Sequence, residues 1–257
     1  MPVTAARLNG GQWEASMGAF VQDIDRFRGT GEKNRQGKTL EEFISVYDAK
    51  KYDCPSNTVD MIVLRSDGPY RDAAQSLRVL MIKRSNHPSI GWWALPGGFV
   101  DIREDLDHAA RRELEEETGV QDLPMVQLRT WGAWDRDPRW RVITTAYLAL
   151  VEGELPVRAG DDAADAAWFE VELEEVYEET DTLSGNAVTR FELKLTSAGQ
   201  PDAPCVLTAS FLRIRTRRGP LTDTRYELLS SDGIAVDHGL ILADAVLYLK
   251  DAIRHQE

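Results

Sequence analysis

The spacing of apolar and polar residues along this 257-residue chain predicts a mixture of strands and helices. Short runs rich in apolar residues, bounded by turn-forming residues, are typical of strands. Apolar residues that recur every three to four positions are typical of helices. In the first part of the chain these patterns predict a possible short helix around 17–27, a short helix over 40–47, and strands over 58–64 and 77–83.

Beyond residue 125 the same patterns predict mostly strands. Residues 126–131 and 141–151 favour strands on either side of a charged loop. An acidic loop that begins at Gly160 is expected to lead into a short strand at 168–169. The alternation over 187–229, interrupted by two turn segments, predicts three antiparallel strands.

The apolar spacing near the end of the chain predicts a closing helix that runs to about Arg254. Asp237 and His238 stand at its start, where they suggest a catalytic pair. A helix-capping aspartate beside an ordinary histidine is the interpretation we favour, because aspartate is a preferred residue at this position.

Residues 98–120 carry the most informative pattern, G-x5-E-x7-R-E-U-x-E-E-x-G-U, where U is apolar, and they match it without a mismatch. The run predicts a helix over 106–118. Asp105 can cap its start, and Gly119 can end it in a left-handed conformation.

On such a helix Glu113 and Glu117 lie on one face, with Glu116 at its edge. Three carboxylates so close together repel one another, and the helix dipole disfavours them further near the C-terminal end. A divalent cation such as Mg2+ would offset this charge, and it also binds phosphate oxygens. A solvated face is the alternative interpretation, but it gives no reason for glycines at both ends of the run or for a further glutamate, Glu104, before the helix.

The segment directly before this pattern predicts a strand that ends in a tight loop, because Trp92-Trp93-Ala-Leu is followed by Pro-Gly-Gly. Glycine lets the backbone approach a ligand closely, so the carbonyl of Gly97 can supply a metal oxygen. The pattern over 98–120 is the Nudix box, and the chain resembles the Nudix hydrolases. The resemblance implies an α+β fold, an α/β/α sandwich around a mixed sheet.

The resemblance also implies a set of site residues. One to three Mg2+ or Mn2+ ions would lower the pKa of a bound water that attacks phosphorus. Arg112 would orient the box glutamates, and Glu104 would help to fix the loop or an outer metal. The general base stays open between Glu116 and the acidic residues Asp161, Asp162 and Asp165. The implied metal ligands are Glu113, Glu116, Glu117 and the carbonyl of Gly97.

The loop from Trp134 to Trp140 contains two arginines, two aspartates and two tryptophans. Such residues can bind a diphosphate, ribose hydroxyls and a base through ion pairs, hydrogen bonds and stacking. A surface hairpin whose charges pair with each other is the alternative. The run Arg136-Asp-Pro-Arg139 ahead of a strand resembles ADP-ribose-type Nudix enzymes and favours the binding role. The substrate-binding candidates are Arg84, Trp134, Arg136, Arg139 and Trp140.

Within the resemblance, residues 1–54 would be a partly helical N-terminal extension and residues 55–257 the Nudix domain. A β-rich insertion is expected at about 183–231, followed by the closing helix at 238–254. Because a small sheet with one apolar face needs a partner surface, we also expect a homodimer.

Composition narrows the range of functions. The formal net charge of −13 argues against a nucleic acid polymer as partner, since such binding depends on Lys and Arg. Cys54 and Cys205 are too few and too far apart to suggest a disulfide framework or a zinc site. With no membrane-length apolar run and no signal-peptide core, a cytoplasmic enzyme is expected.

The sequence thus predicts hydrolysis of a nucleoside diphosphate linked to another group, with ADP-ribose, cleaved to AMP and ribose 5-phosphate, as the first candidate. One alternative is a house-cleaning enzyme for damaged nucleoside triphosphates, which uses the same box. Another is a regulator that binds ADP-ribose without turnover and contacts DNA. The intact box and the acidic charge speak against this regulator.

Overall fold

The structure is a computed structural model that describes residues 20–21, 23–72, 74–157, 163–197 and 205–254, with backbone alone at 163 and 164. The described part of the chain divides into two compact units. One ends at Cys54, and the other begins at Pro55.

The first unit contains little regular structure in its described part. The helix predicted over 40–47 is present as α1, Leu40–Ser45. Thr39 caps it, accepting a hydrogen bond from the Glu42 backbone while the Glu42 side chain accepts one from the Thr39 backbone. The helix predicted around 17–27 is only a 3-10 turn, Asp25–Phe27, where the chain is described. Residues 17–19 and 22 of that prediction lie outside the described residues.

The second unit is built on one mixed sheet. Its strands, in the spatial order β10-β9-β8-β7-β2-β1-β6-β5, are antiparallel to their neighbours except at the parallel pair β1 and β6; β3 pairs with β2 and β4 with β1. The strands are β1 Ser56–Ser66, β2 Leu77–Arg84, β3 Trp93–Ala94, β4 Gly97–Phe99, β5 Val126–Trp131, β6 Val142–Glu152, β7 Ala163–Thr180, β8 Ala187–Ser197, β9 Val206–Arg218 and β10 Leu221–Asp232.

Two helices cover the two faces of this sheet, α2 (Leu106–Thr118) and α3 (His238–Arg254). The alternation of side chains along β1 explains both contacts. Val59, Met61 and Val63 belong to the core that contains α2. Ile62 and Leu64 belong to the core that contains α3. The expected sandwich of helix, mixed sheet and helix is therefore confirmed.

The ends of α2 show one correct and one wrong prediction. The helix has the bounds that the sequence predicts, and it ends at Gly119 with φ of 71° in the left-handed region. Asp105 stands at the N-cap position, but its side chain makes no capping hydrogen bond.

The three antiparallel strands predicted over 187–229 are confirmed as β8, β9 and β10. They continue the main sheet through β7, and their apolar face is covered by α3 of the same chain. Phe191, Leu193 and Phe211 are buried there. The apolar face that suggested a second subunit is thus already covered, and the homodimer loses that support.

The region around 160–169 differs from the prediction. β7 is 18 residues long, where a short strand at 168–169 was expected. Asp165 lies within this strand, opposite Lys83, and not in a loop. Asp161 and Asp162 lie outside the described residues. None of the described helices has the length and apolar character needed to cross a membrane.

Candidate active site

A cavity of about 540 Å³ lies beside the box helix. Its wall is formed by β1, the ends of β2 and β3, strand β4, the charged loop between β5 and β6, and the start of α3. This cavity brings together most of the residues that the sequence singles out. They are Arg84, Gly97, Arg112, Glu113, Glu116, Glu117, Arg136 and Arg139.

Glu117 is the most perturbed acid of this cavity. Its Oε2 accepts a hydrogen bond of 2.7 Å from the backbone N–H of Gly97. Burial, together with the negative charges of Glu113 and Asp60, raises the pKa of Glu117 to about 8 against the effect of that hydrogen bond. A cation bound here would offset these negative charges, and the charged form of the Glu117 carboxylate would then be favoured.

Arg112 holds three of the box glutamates together. Its Nε and Nη2 donate to Glu104 at 2.9 and 2.8 Å, and its Nη1 donates to Glu113 at 2.7 Å and Glu116 at 3.0 Å. Nη2 also donates to the carbonyl of Phe99 at 3.0 Å. The hydrogen bonds from Arg112 lower the pKa of Glu104 to about 2, so this carboxylate stays charged. Glu104 does not line the cavity and acts on it through Arg112.

The two glycines of β4 allow the backbone to pass between the sheet and α2. A Cβ atom at Gly98 would collide with the carboxylate of Glu113. A Cβ atom at Gly97 would collide with the carbonyl of Val59 and lie 2.7 Å from Oδ1 of Asp60. Both glycines are therefore needed for close packing against β1 and α2, while the approach of the Gly97 carbonyl to a metal ion stays a prediction.

The donor atoms in this part of the cavity suit a hard divalent cation, because they are carboxylate and carbonyl oxygens. Burial raises the pKa of Glu113 as well, and Glu116 adds to this shift. In the structure, however, Glu113 and Glu116 are bound to Arg112. Across the described residues, no three Asp, Glu, His or Cys side chains are grouped so that they could hold a metal ion together. The chemistry of these residues therefore fits a divalent cation. Their arrangement around such an ion stays a prediction.

Arg136 is placed on the cavity wall but is engaged by an acid. Its Nε and Nη2 donate to Asp237 at 2.9 and 2.7 Å, and only 5% of its side chain is exposed. The link joins the charged loop to the start of α3. The direct contact of Arg136 with substrate stays a prediction, since its strongest hydrogen bonds already go to Asp237.

Arg84 and Arg139 bring positive charge to the wall of the same cavity. Arg139 donates to Asp137 from Nε at 3.0 Å and Nη2 at 2.8 Å, and its guanidinium carbon is 5.5 Å from the Phe99 ring centre. Arg84 donates from Nε to the carbonyl of Pro88 at 2.7 Å. Burial lowers the pKa of Arg84, and the positive charge of Arg139 lowers it further. An anion would relieve this repulsion.

Trp134 and Trp140 are not on the cavity wall. They are 79% and 55% exposed. Their predicted stacking against a base stays a prediction.

Two buried residues of the cavity, Asp60 and His238, are not among the site residues that the sequence predicts. Asp60 is buried on β1, and its Oδ2 has no hydrogen-bond partner among the described residues and lies 3.8 Å from Nη2 of Arg136. A carboxylate within the apolar run 58–64 is the signal that would have found it. His238 is buried too, and its Nδ1 accepts the backbone N–H of Leu95 at 2.9 Å. No local pattern distinguishes it from an ordinary histidine.

Comparison with known proteins agrees with these features. The family model of the NUDIX domain matches residues 56–191, more than half of the chain. A solved structure of a MutT/nudix family protein from Enterococcus faecalis is similar, with 32% identity and a TM-score of 0.57, over 84% of this chain and 71% of that one.

Two curated relatives are each 38% identical to this chain. An ADP-ribose pyrophosphatase from Methanocaldococcus jannaschii matches over 137 residues, 51% of this chain and 73% of the relative. An ADPR responsive transcriptional repressor, NtrR, from Acinetobacter baylyi matches over 113 residues, 43% of each protein. From the matched domain, the fold and the box, the chain belongs to the Nudix hydrolase family and is related to its ADP-ribose pyrophosphatases.

Proposed function

We propose that this protein hydrolyses ADP-ribose to AMP and ribose 5-phosphate with the help of Mg2+ or Mn2+. One observation carries the proposal: a single cavity is lined both by the box carboxylates and by Arg84 and Arg139. A diphosphate linked to a second sugar has negative charge and hydroxyl groups that suit such a cavity. The 38% identity to an ADP-ribose pyrophosphatase supports the same substrate.

The box carboxylates would hold the divalent ion. Glu113, Glu116, Glu117 and the carbonyl of Gly97 supply oxygen ligands, and a bound ion would lower the pKa of water and neutralise the diphosphate. Arg112 contributes by keeping Glu113 and Glu116 in place through hydrogen bonds.

Of the candidates for the general base that the structure describes, Glu116 is better placed than Asp165. Its side chain is 58% exposed and lines the cavity, where it can reach a water molecule. Asp165, by contrast, does not line the cavity and lies in β7.

Arg84 and Arg139 would bind the half of the substrate that lies away from the metal ion. The Arg139 side chain is 45% exposed, so a ligand can reach it while it remains paired with Asp137. Arginine suits this role because its planar guanidinium group forms paired hydrogen bonds with phosphate oxygens.

The test is a screen of nucleotide sugars, dinucleotides and nucleoside triphosphates, run with Mg2+ and with Mn2+ and read by chromatography of the products, because cleavage of ADP-ribose releases two phosphate esters and no free phosphate. We expect ADP-ribose to give the highest kcat/KM and AMP and ribose 5-phosphate to be its products. A clear preference for damaged triphosphates would replace this proposal with the house-cleaning function.

A second candidate is a regulator that senses ADP-ribose, and the match to the NtrR repressor favours it. Past the box, the described residues form strands and the single helix α3, with no helix-turn-helix among them. Together with the formal net charge of −13, this supports a small-molecule partner over DNA. ADP-ribose binding without turnover, in a protein that also shifts duplex DNA on a gel, would establish the regulator.

We further infer a homodimer, now for a different reason. β10 is an edge strand of the sheet and carries exposed leucines, Leu221 at 71% and Leu229 at 47%. An uncovered edge strand tends to pair with another chain, and a second copy is the simplest partner.

A further inference from the structure

A second cavity, of about 410 Å³, lies between the sheet and the C-terminal half of α3. Strands β7, β8 and β9 form one side, and α3 forms the other. It shares no lining residue with the cavity beside the box. It is therefore a separate site whose lining residues have no part in the box chemistry.

The lining of this second cavity contains four basic and three acidic residues, in a chain that is acidic as a whole. Of the acids, Asp251 lies 3.7 Å from Arg254, and Glu175 is exposed on β7. Glu178, one of the acids beside it, already accepts hydrogen bonds from Arg215 at 2.6 Å and from the Thr189 hydroxyl at 2.8 Å. The basic residues of the lining are Arg213, Arg215, Lys250 and Arg254.

Arg213 has no acidic partner in the described part of the chain. Its guanidinium carbon lies 5.0 Å from the centre of the Phe191 ring, and its Nε is buried without a hydrogen-bond partner among the described residues. Among these residues, no carboxylate oxygen lies within 4.0 Å of a guanidinium nitrogen of Arg213. A buried N–H group without an acceptor is costly, so a ligand oxygen that accepts a hydrogen bond from the Nε of Arg213 would stabilise it.

Lys250 lies on α3 across the cavity from Arg213. Burial lowers the pKa of Lys250, and the charge of Arg254 lowers it further. Lys250 and Arg254 alone could serve the helix dipole, because they lie near the C-terminal end of α3. The helix dipole does not account for Arg213 and Arg215, which project from β9.

We propose that the second cavity binds a small phosphate-bearing molecule through Arg213 and Lys250. A phosphate group has three acceptor oxygens, so it can accept hydrogen bonds from a guanidinium and an ammonium group at once. Phe191, Leu173 and Leu247 provide an apolar wall for the rest of the molecule. A volume of this size holds a small organic ligand.

The test is a calorimetric titration of metal-free protein with inorganic phosphate. The titration uses the Arg84→Gln background, which weakens phosphate binding in the cavity beside the box. We expect Arg213→Gln and Lys250→Gln each to weaken phosphate binding by about tenfold or more, the loss expected for one charge-assisted hydrogen bond. Arg218→Gln, an exposed arginine on the same strand, is the matched control and should bind as its parent does.

A second measurement keeps the test valid if Arg213→Gln folds poorly. Phosphate should raise the unfolding temperature of the Arg84→Gln parent, because a ligand that binds only the folded state stabilises it, and Lys250→Gln should lose this increase. Unchanged phosphate binding in both variants would overturn the proposal. Tighter binding of citrate than of phosphate would overturn the assignment to phosphate.

Discussion

Glu117 is partly buried beside Glu113 and Asp60, so its negative charge is unfavourable in the metal-free protein. Replacing it with glutamine removes the charge and keeps the volume. We expect Glu117→Gln to lose activity by about 100-fold or more, because a metal contact that stabilises charge in the transition state is lost. Without metal, its thermal stability at neutral pH should be unchanged or higher.

The control for this variant is Glu115→Gln, on the exposed side of the same helix. Its turnover should match that of the parent protein. Turnover of Glu117→Gln near that of the parent at saturating Mg2+ would refute the role assigned to Glu117.

Arg139 tests the substrate class. If it binds the far half of ADP-ribose, Arg139→Ala should weaken use of this substrate by about 1.5–3 kcal/mol, the range for hydrogen bonds to charged groups. This corresponds to about 10- to 150-fold in kcat/KM. A nucleoside triphosphate lacks that half, so its hydrolysis should change much less. An equal loss with both substrates would show that Arg139 acts on shared phosphates or only supports Asp137.

His238 should make stability depend on pH. Burial lowers the pKa of His238 from 6.5, against the opposing charges of Asp60 and Asp237, so the folded protein holds the ring neutral. The unfolded chain binds a proton near pH 6.5. The contribution of His238 is therefore present above that pH and is lost as pH falls through the lower folded-state pKa.

His238→Gln can keep the hydrogen bond from Leu95 and removes the titrating group. Denaturant unfolding between pH 7 and pH 5 should show a smaller loss of stability in this variant than in the parent. Identical slopes in the two proteins would contradict the effect.

The sequence predicts that the box residues of α2 lie together, because their spacing on one helix is a local property; their roles stay predictions. It predicts less about residues that meet across the fold. Asp60 and His238 are far apart along the chain, and only the completed sheet and α3 bring them beside the same cavity. The partner of Arg136 was missed for the same reason, since Asp237 lies on a different element.

The ion pair between Arg136 and Asp237 connects two elements, the charged loop and α3. Both side chains are largely buried, 5% and 15% exposed. Removing one partner leaves a buried charge, so Asp237→Ala should destabilise the fold by about 3–5 kcal/mol. Asp251→Ala removes an exposed partner of Arg254 at 3.7 Å near the other end of α3 and should cost about 0–1 kcal/mol. Similar losses in the two variants in denaturant would argue against the buried link.

Local alternation predicted most of the strands, but not their order in the sheet. β8 pairs with β7, and this places the region 183–231 in the main sheet. Which strands pair depends on contacts between distant segments, and periodicity does not contain that information. The great length of β7 follows from the same pairing, because it is matched along its length by β2 and β8.

For the whole molecule we expect a dimer of the 28.9 kDa chain through β10. Light scattering at micromolar concentration should give twice the chain mass. Leu229→Lys should reduce it to the monomer, since a lysine on an edge strand disfavours pairing. Val126→Lys, an exposed position on the edge strand β5 at the other end of the sheet, should leave the dimer intact. A monomer mass for the parent protein would exclude this assembly.

The floor and the rim of the cavity beside the box belong to parts of the molecule that differ in how readily they tolerate substitutions. β1, which carries Asp60, lies inside the sheet and pairs along its full length with β6. Such a strand is expected to exchange its amide hydrogens only when the whole domain unfolds. Much of the rim comes from the segments 84–88 and 136–139, largely outside the strands, where substitutions are tolerated more readily. During evolution, new substrate preferences would therefore arise by changes in these loops, while the strand beneath them stays constant.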